Sequence, residues 1–135
     1  MDVFIVEDSE IVSDELKDML SEISGIHMAG LAIDEQDAIE KIGATRPDVV
    51  ILDIALRSGS GIKVLQSIKK STPLIKVIIL TNYTDACYVN SCINAGADYF
   101  FDKSLQFMNV ATVIQQLVAN DGVARNNIGG DVHAH

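Results

Sequence analysis

The stretch VVILDIALRSGSG, residues 49–61, places one aspartate directly after four apolar residues and just before a glycine-rich segment. A short, continuous run rich in β-branched side chains is typical of a strand that is buried on both faces. Residues 3–6 and 77–80 repeat this pattern, and residues 27–33 and 99–101 are weaker strand candidates. The question is why a buried strand delivers a carboxylate, Asp53, at its end.

Apolar residues at helical spacing fill the segments between these strands. The predicted helices cover residues 12–23, 61–70, 85–95 and 110–118, together with one that Asp34 caps and the Arg46–Pro47 step ends. Strand and helix therefore alternate as βαβαβαβαβα. Such alternation predicts an α/β fold of the doubly wound (βα)5 type, a five-stranded parallel sheet with helices on both faces.

Composition and charge limit the possible functions. The 135 residues suit one domain, predicted here as residues 1–119 with a short polar tail, residues 120–135. The tail is interpreted as flexible, with a short extension of the last helix or a docking peptide as the alternatives. Ten basic residues against 19 acidic ones give a net charge of −9, which disfavours direct nucleic-acid binding. No apolar run reaches the roughly 20 residues of a membrane span, and the acidic N-terminus is unlike a signal peptide. We expect a cytoplasmic protein in which Cys87 and Cys92 are reduced, structural cysteines.

Polar residues follow the predicted strands at their carboxyl ends, where sites form in open parallel sheets. They are Glu7 and Asp8 after the first strand, Asp53 after the third, Thr81 after the fourth and Lys103 beyond the fifth. Three close carboxylates repel one another, so they either take up a proton or bind a divalent cation, and oxygen ligands suit Mg²⁺. Asp53 can then attack phosphorus, Lys103 can neutralise the phosphoryl charge and Thr81 can donate a hydrogen bond to it.

Five motifs in order resemble the receiver domain of bacterial two-component response regulators, the CheY-like family. They are FIVED at residues 4–8, AIDEQDAI at 32–39, PDVVILDIALRSGSG at 47–61, VIILTNY at 77–83 and AGADYFFDKS at 95–104. The resemblance covers about residues 3–117 and implies a flavodoxin-like sandwich.

The resemblance also implies site roles. Asp53 would be the phosphoacceptor and Lys103 the lysine that pairs with its phosphoryl group. The implied Mg²⁺ ligands are Glu7 (mainly through water), Asp8, Asp53 and the backbone carbonyl of Ala55. The implied switch residues are Thr81 and Phe100.

The family mechanism names the partners. A histidine kinase or histidine phosphotransfer protein would donate the phosphoryl group, and Thr81 and Phe100 would then move inward. This would remodel the face of the fourth helix, fifth strand and fifth helix, which binds a downstream target protein. The segment after Leu117 is too short for an output domain, so we expect either a single-domain regulator or the receiver part of a longer protein, as a monomer or weak dimer.

Three positions depart from the usual family pattern. Glu7 is one methylene longer than the common aspartate, which predicts a different Mg²⁺ affinity. Ser104 replaces the usual proline after Lys103, so a trans peptide is expected there. Ala55 has no side chain to orient an attacking water, which predicts a long phosphoryl lifetime.

Other interpretations of the same residues remain open. A magnesium-dependent phosphohydrolase also uses a strand-end aspartate but needs a second acid where this chain has Ala55. A flavin-binding protein would need neutral or basic donors in the loop that carries Glu7, Asp8 and Ser9. A receiver-like docking module that takes no phosphate is the third alternative. Without the family resemblance, Phe100 is better explained as a core residue. The terminal His133 and His135 are interpreted as part of a solvated tail.

Overall fold

Five strands and five helices alternate along the chain in a computed structural model that describes residues 1–130. The strands are β1 (Asp2–Val6), β2 (His27–Ala32), β3 (Val49–Leu52), β4 (Lys76–Thr81) and β5 (Tyr99–Asp102). The helices are α1 (Glu10–Ser21), α2 (Glu35–Thr45), α3 (Gly61–Ser71), α4 (Ala86–Asn94) and α5 (Asn109–Gly130). The predicted alternation of strands and helices is confirmed.

The strands form one parallel sheet in the order β2-β1-β3-β4-β5. The chain moves outward from β1 to β2, then crosses back to the other side of β1 for β3. The order therefore reverses between β1 and β3, and ligand sites of doubly wound sheets form at the carboxyl ends of such a pair. In this sheet Val6 lies opposite Leu52, so the residues that follow them, Glu7 and Asp53, leave the sheet side by side.

Two apolar layers cover the sheet, because successive residues of a strand face opposite sides. Phe4 and Val6 face the layer under α2, α3 and α4, whereas Val3 and Ile5 face the layer under α1 and α5. All four of these β1 side chains are fully buried. A strand with no polar residue between its ends can only be accommodated in this way, which is why the continuous apolar runs predicted the fold.

Helix ends follow local chemistry. The carboxylate of Asp34 accepts a hydrogen bond of 2.9 Å from the backbone N–H of Asp37 and so caps α2 as predicted. Arg46 ends that helix in the left-handed conformation, directly before Pro47. Gly96 lies just after α4 with a φ of 100°, a value that glycine adopts without strain.

Some predicted boundaries and roles were wrong. Strand β2 ends at Ala32 and leaves Ile33 outside the sheet. Helix α5 continues to Gly130, so the backbone of residues 120–130 follows the alternative that the sequence left open, an extension of the last helix, and not the flexible tail. Cys92 is buried in the core, but Cys87 is exposed, because five residues along a helix turn a side chain by about 140°. The remaining tail residues, including His133 and His135, lie outside the described residues.

Candidate functional site

Backbone hydrogen bonds fix the positions of the two acidic residues at the switch point. The N–H of Glu7 donates to the carbonyl of Ala32 at 3.0 Å, and the N–H of Asp53 donates to the carbonyl of Val6 at 3.0 Å. Both bonds continue the sheet ladder one residue beyond the strands. The Cα atoms of Glu7 and Asp53 are therefore held as rigidly as those of the strands that precede them.

Glu7, Asp8 and Asp53 form a cluster in which one carboxylate oxygen of each lies within 4.8 Å of the others. Glu7 and Asp53 are buried, at 3% and 5% exposure, whereas Asp8 is half-buried. Carboxylate oxygens are hard donors that Mg²⁺ prefers, and close like charges are costly without a cation. The donor set therefore fits a hard divalent metal ion, and this cluster could hold one.

Lys103 neutralises part of this negative charge. Its ammonium lies 2.7 Å from Oδ2 of Asp53 and 2.8 Å from Oε1 of Glu7. Burial by itself lowers the pKa of Lys103, but the hydrogen bonds to Asp53 and Glu7 outweigh it, so the pKa lies above its usual value. The lysine therefore stays charged and joins the ends of β1 and β3 to the segment after β5.

Glu7 has the opposite balance. Burial raises its pKa above the ordinary 4.5, even though hydrogen bonds from Lys103 and from the N–H of Ser9 favour the charged form. The Ser9 bond to Oε2 is 3.0 Å long. Both oxygens of Glu7 therefore have donors within the protein.

Asp53 also has a donor on each oxygen. Oδ1 accepts a hydrogen bond from the backbone N–H of Ala55 at 3.1 Å, and Oδ2 faces Lys103. Directly below, the N–H of Gly61 donates to the carbonyl of Ile54, and a Cβ added at Gly61 would overlap the carbonyl oxygen of Asp53. Only glycine fits there, which explains why the strand is followed by a glycine-containing segment.

The two predicted switch residues lie farther along the sheet. Thr81 is fully buried at the end of β4, and its Oγ1 accepts a hydrogen bond from the N–H of Tyr83 at 3.2 Å. Phe100 lies opposite Ile79 in β5, is half-buried and packs against the α2–α3–α4 side of the core. The structure thus separates Phe100 from the acidic cluster, and its surroundings are those of a core residue at the sheet edge.

Several site features were absent from the sequence prediction. The sequence predicts Lys103 and Glu7 in one pocket but assigns the lysine to the phosphoryl group, so it does not indicate the direct ion pair between these residues, which are 96 positions apart. A groove beside the acidic cluster is also lined by Lys17 and Arg57, two cations for which the sequence predicts no role. The Lys103–Ser104 peptide is trans, as predicted.

The sequence matches the family model of the response regulator receiver domain over residues 3–115. The chain belongs to this family. The predicted family and the predicted fold are thus confirmed. Family members are phosphoacceptor signalling domains of two-component systems.

Curated relatives of this receiver domain are longer proteins. The response regulator protein VraR of Staphylococcus saprophyticus is 30% identical over 121 residues, which is 90% of this chain and 58% of VraR. The DNA-binding transcriptional activator DevR/DosR of Mycobacterium tuberculosis is 31% identical over 124 residues, 92% of this chain and 57% of that protein. The chain thus spans less than three fifths of these relatives.

Solved structures support the same assignment. The response regulator domain of Thermotoga maritima CheB matches with a TM-score of 0.75 and 28% identity, covering 89% of this chain and 94% of that one. The signal receiver domain of a DNA-binding response regulator from Colwellia psychrerythraea matches with a TM-score of 0.79 and 27% identity, covering 88% and 98%. Among the residues of this receiver domain that the structure describes, no helix is both long and apolar enough to cross a bilayer.

Proposed function

We propose that this receiver domain accepts a phosphoryl group on Asp53 from a phosphohistidine of a histidine kinase or phosphotransfer protein. One observation carries the proposal: Asp53 is buried beside Glu7 and Asp8, with Lys103 on one carboxylate oxygen and the Ala55 amide on the other. If Asp53 only capped a turn, it would need neither the two neighbouring acids, Glu7 and Asp8, nor the buried lysine, Lys103.

In the proposed reaction, an oxygen of Asp53 forms a bond to phosphorus while the phosphorus–nitrogen bond of the donor breaks. The donor imidazole keeps the electron pair of that bond. Glu7, Asp8, Asp53 and the Ala55 carbonyl would hold Mg²⁺, which supplies positive charge to the phosphoryl oxygens. Lys103 contributes a second positive charge at the same place, because its ammonium already lies on Asp53 Oδ2.

Output would follow from a change in packing. At present Oγ1 of Thr81 accepts a hydrogen bond from the N–H of Tyr83. After phosphorylation Thr81 would leave this bond, and its hydroxyl would donate to a phosphoryl oxygen. Phe100 would then turn into the space that Thr81 leaves, and the face of α4, β5 and α5 would bind a downstream target protein. The phosphoryl group drives this shift only by the contacts that it makes better in one packing than in the other.

Catalysis in this proposal is limited to the domain's own phosphorylation and dephosphorylation. The position two residues after Asp53 is Ala55, so no side chain there serves as the acid or base that turnover of external substrates needs. The net charge of −9 supports a protein partner over direct contact with nucleic acid. We place the domain in the cytoplasm, as a monomer or weak dimer.

The test is intact-mass spectrometry after incubation with acetyl phosphate, with and without Mg²⁺. We expect one added phosphoryl group in wild type with Mg²⁺, and none in Asp53→Asn or in the metal-free sample. Asp14→Asn is the matched control, because Asp14 is exposed in the adjoining groove but lies outside the three-carboxylate cluster. A folded wild-type protein that takes up no phosphoryl group would refute the proposal and favour a phosphate-independent docking module.

A further inference from the structure

The loop between β3 and α3 is held from outside by the first residue of α2. Glu35 makes two hydrogen bonds to it: its Oε1 accepts from the N–H of Ser60 at 2.8 Å, and its own N–H donates to the carbonyl of Ser58 at 3.0 Å. The loop also passes very close to the Glu35 stem, because a Cβ added at Gly59 would overlap the Cβ of Glu35. One residue of α2 therefore sets the path of this loop.

The contacts continue from Ser60 to the acceptor. Ser60 pairs with Ala55 in an isolated antiparallel bridge, and the N–H of Ala55 donates to Oδ1 of Asp53 at 3.1 Å. Ala55 is also the residue whose carbonyl would bind Mg²⁺ in the proposed function. A shift of Ser60 would thus move both a metal ligand and the donor that orients the Asp53 carboxylate.

We propose that Glu35 is a positioning residue of the phosphorylation site, acting through Ser60 and Ala55. This inference rests on the proposed function, because it assigns to Glu35 a role in Mg²⁺ binding at the Asp53 cluster.

The bond from Glu35 orders the loop and not helix α3. That helix has its own cap, since Ser60 Oγ accepts from the N–H of Ile62 at 3.1 Å and the N–H of Gly61 donates to the carbonyl of Ile54. Residues 57–59 are exposed, so without Glu35 the Ser60 N–H would turn to water. Loss of the bond should therefore loosen the Ala55 carbonyl while leaving the helices intact.

Three substitutions separate positioning from charge. Glu35→Gln keeps an acceptor at the same reach and removes the charge, whereas Glu35→Asp keeps the charge but is one methylene too short to reach Ser60. Glu35→Ala loses both. Asp37→Asn is the control, because Asp37 lies in the same helical turn and pairs with Lys41 at 3.0 Å instead of the loop.

The first readout uses the metal-free protein, in which amide hydrogen exchange of Ser60 is measured by NMR. The second is the Mg²⁺ dissociation constant from calorimetry. We expect Glu35→Asp and Glu35→Ala to exchange the Ser60 amide faster and to bind Mg²⁺ about five- to tenfold more weakly, as for loss of one hydrogen bond. Glu35→Gln and Asp37→Asn should stay within about twofold of wild type in affinity.

Two results would overturn the inference alone. The first is a wild-type Mg²⁺ affinity in both Glu35→Asp and Glu35→Ala. The second is weak Mg²⁺ binding in Glu35→Gln with normal binding in Glu35→Asp, which is the pattern of a distant charge effect. Absence of Mg²⁺ binding in the wild type itself would overturn the proposed function and this inference with it. Glu35→Gln and Glu35→Asp each change little volume at the surface of α2, so the comparison between them stands even where Glu35→Ala folds poorly.

Discussion

Replacing Lys103 with methionine should make the stability of this domain depend strongly on Mg²⁺. The substitution keeps the aliphatic stem and removes the ammonium that lies 2.7 Å from Asp53 and 2.8 Å from Glu7. The lysine side chain is 12% exposed and those of its partners 6% and 3%, so the two carboxylates would remain buried without a counter-charge.

The magnitude follows from that burial. Removing one partner of a buried ion pair costs roughly 3–5 kcal/mol, because the other charge stays uncompensated. Glu7 can relieve part of this cost by taking up a proton, since burial already raises its pKa. We therefore expect the lower end, about 3 kcal/mol near neutral pH. For a domain of this size, that loss lowers Tm by roughly 10 °C.

Mg²⁺ should offset a large part of this loss. The Lys103 ammonium repels Mg²⁺ at the same carboxylates by several kcal/mol, even at an effective dielectric constant of about 20. Removing only about 1.4 kcal/mol of this repulsion would already raise the Mg²⁺ affinity tenfold. Lys103→Met should therefore bind Mg²⁺ at least about tenfold more tightly than wild type. At saturating Mg²⁺, a tenfold tighter affinity returns about 1.4 kcal/mol relative to wild type, which is roughly half of the stability lost.

The assay is thermal unfolding followed by circular dichroism, with a chelator or with increasing Mg²⁺. Lys69→Met is the matched control, because Lys69 also makes a 2.8 Å ion pair, with Asp98, but away from the acidic cluster. Its Tm should fall equally with and without Mg²⁺. A Lys103→Met protein whose Tm is as high as that of wild type in chelator, or whose loss of Tm is unchanged by Mg²⁺, would refute the reasoning.

Three further substitutions test other parts of the site. Burial raises the pKa of Glu7 above 4.5, so the folded protein keeps the proton on the Glu7 carboxyl to higher pH than the unfolded chain does. Binding this proton stabilises the folded state, and that stabilisation is lost as pH rises through the folded pKa. The Tm of metal-free wild type relative to Glu7→Gln should therefore fall as pH rises above 4.5. Ala55→Asn should shorten the phosphoryl lifetime, measured by the decay of the added mass, because an amide can orient the attacking water. Gly61→Ala should lower the free energy of unfolding in urea by about 1–3 kcal/mol, since its Cβ would overlap the Asp53 carbonyl oxygen.

Each of these three has a clear contrary result. A Tm difference that does not change with pH would show that burial does not control the protonation of Glu7. Equal decay rates in wild type and Ala55→Asn would remove Ala55 as the cause of a long lifetime. A Gly61→Ala protein as stable as Gly43→Ala would contradict the packing argument, because a Cβ at Gly43 meets no atom within 4 Å.

Local patterns in the sequence were sufficient for the fold and for the strand ends that carry the site. A run such as Val49 to Leu52 has no polar face, so it can only be buried on both sides, and in an alternating βα chain this leaves a parallel sheet. The residue after such a strand, Asp53, then lies at the edge where sites form. These predictions depend only on residue type and spacing.

Local patterns failed where a boundary or an exposure depends on geometry. The low apolar content after residue 119 favoured a flexible tail over an extension of the last helix. Each residue added to an existing helix gains a hydrogen bond without the cost of a new nucleus, and α5 continues to Gly130. Cys87 and Cys92 appeared equivalent in sequence, but the rotation between them along α4 buries only the second.

By itself, then, the sequence determined the order of strands and helices, the two-layer packing and which carboxylates reach the carboxyl edge of the sheet, because these follow from periodicity and polarity along the chain. Only the tertiary structure decided that one ammonium joins Glu7 to Asp53, and that Glu35 holds the loop after the acceptor. Such contacts join residues 25 to 96 positions apart, and their existence depends on side-chain reach across packed elements, which no local pattern encodes.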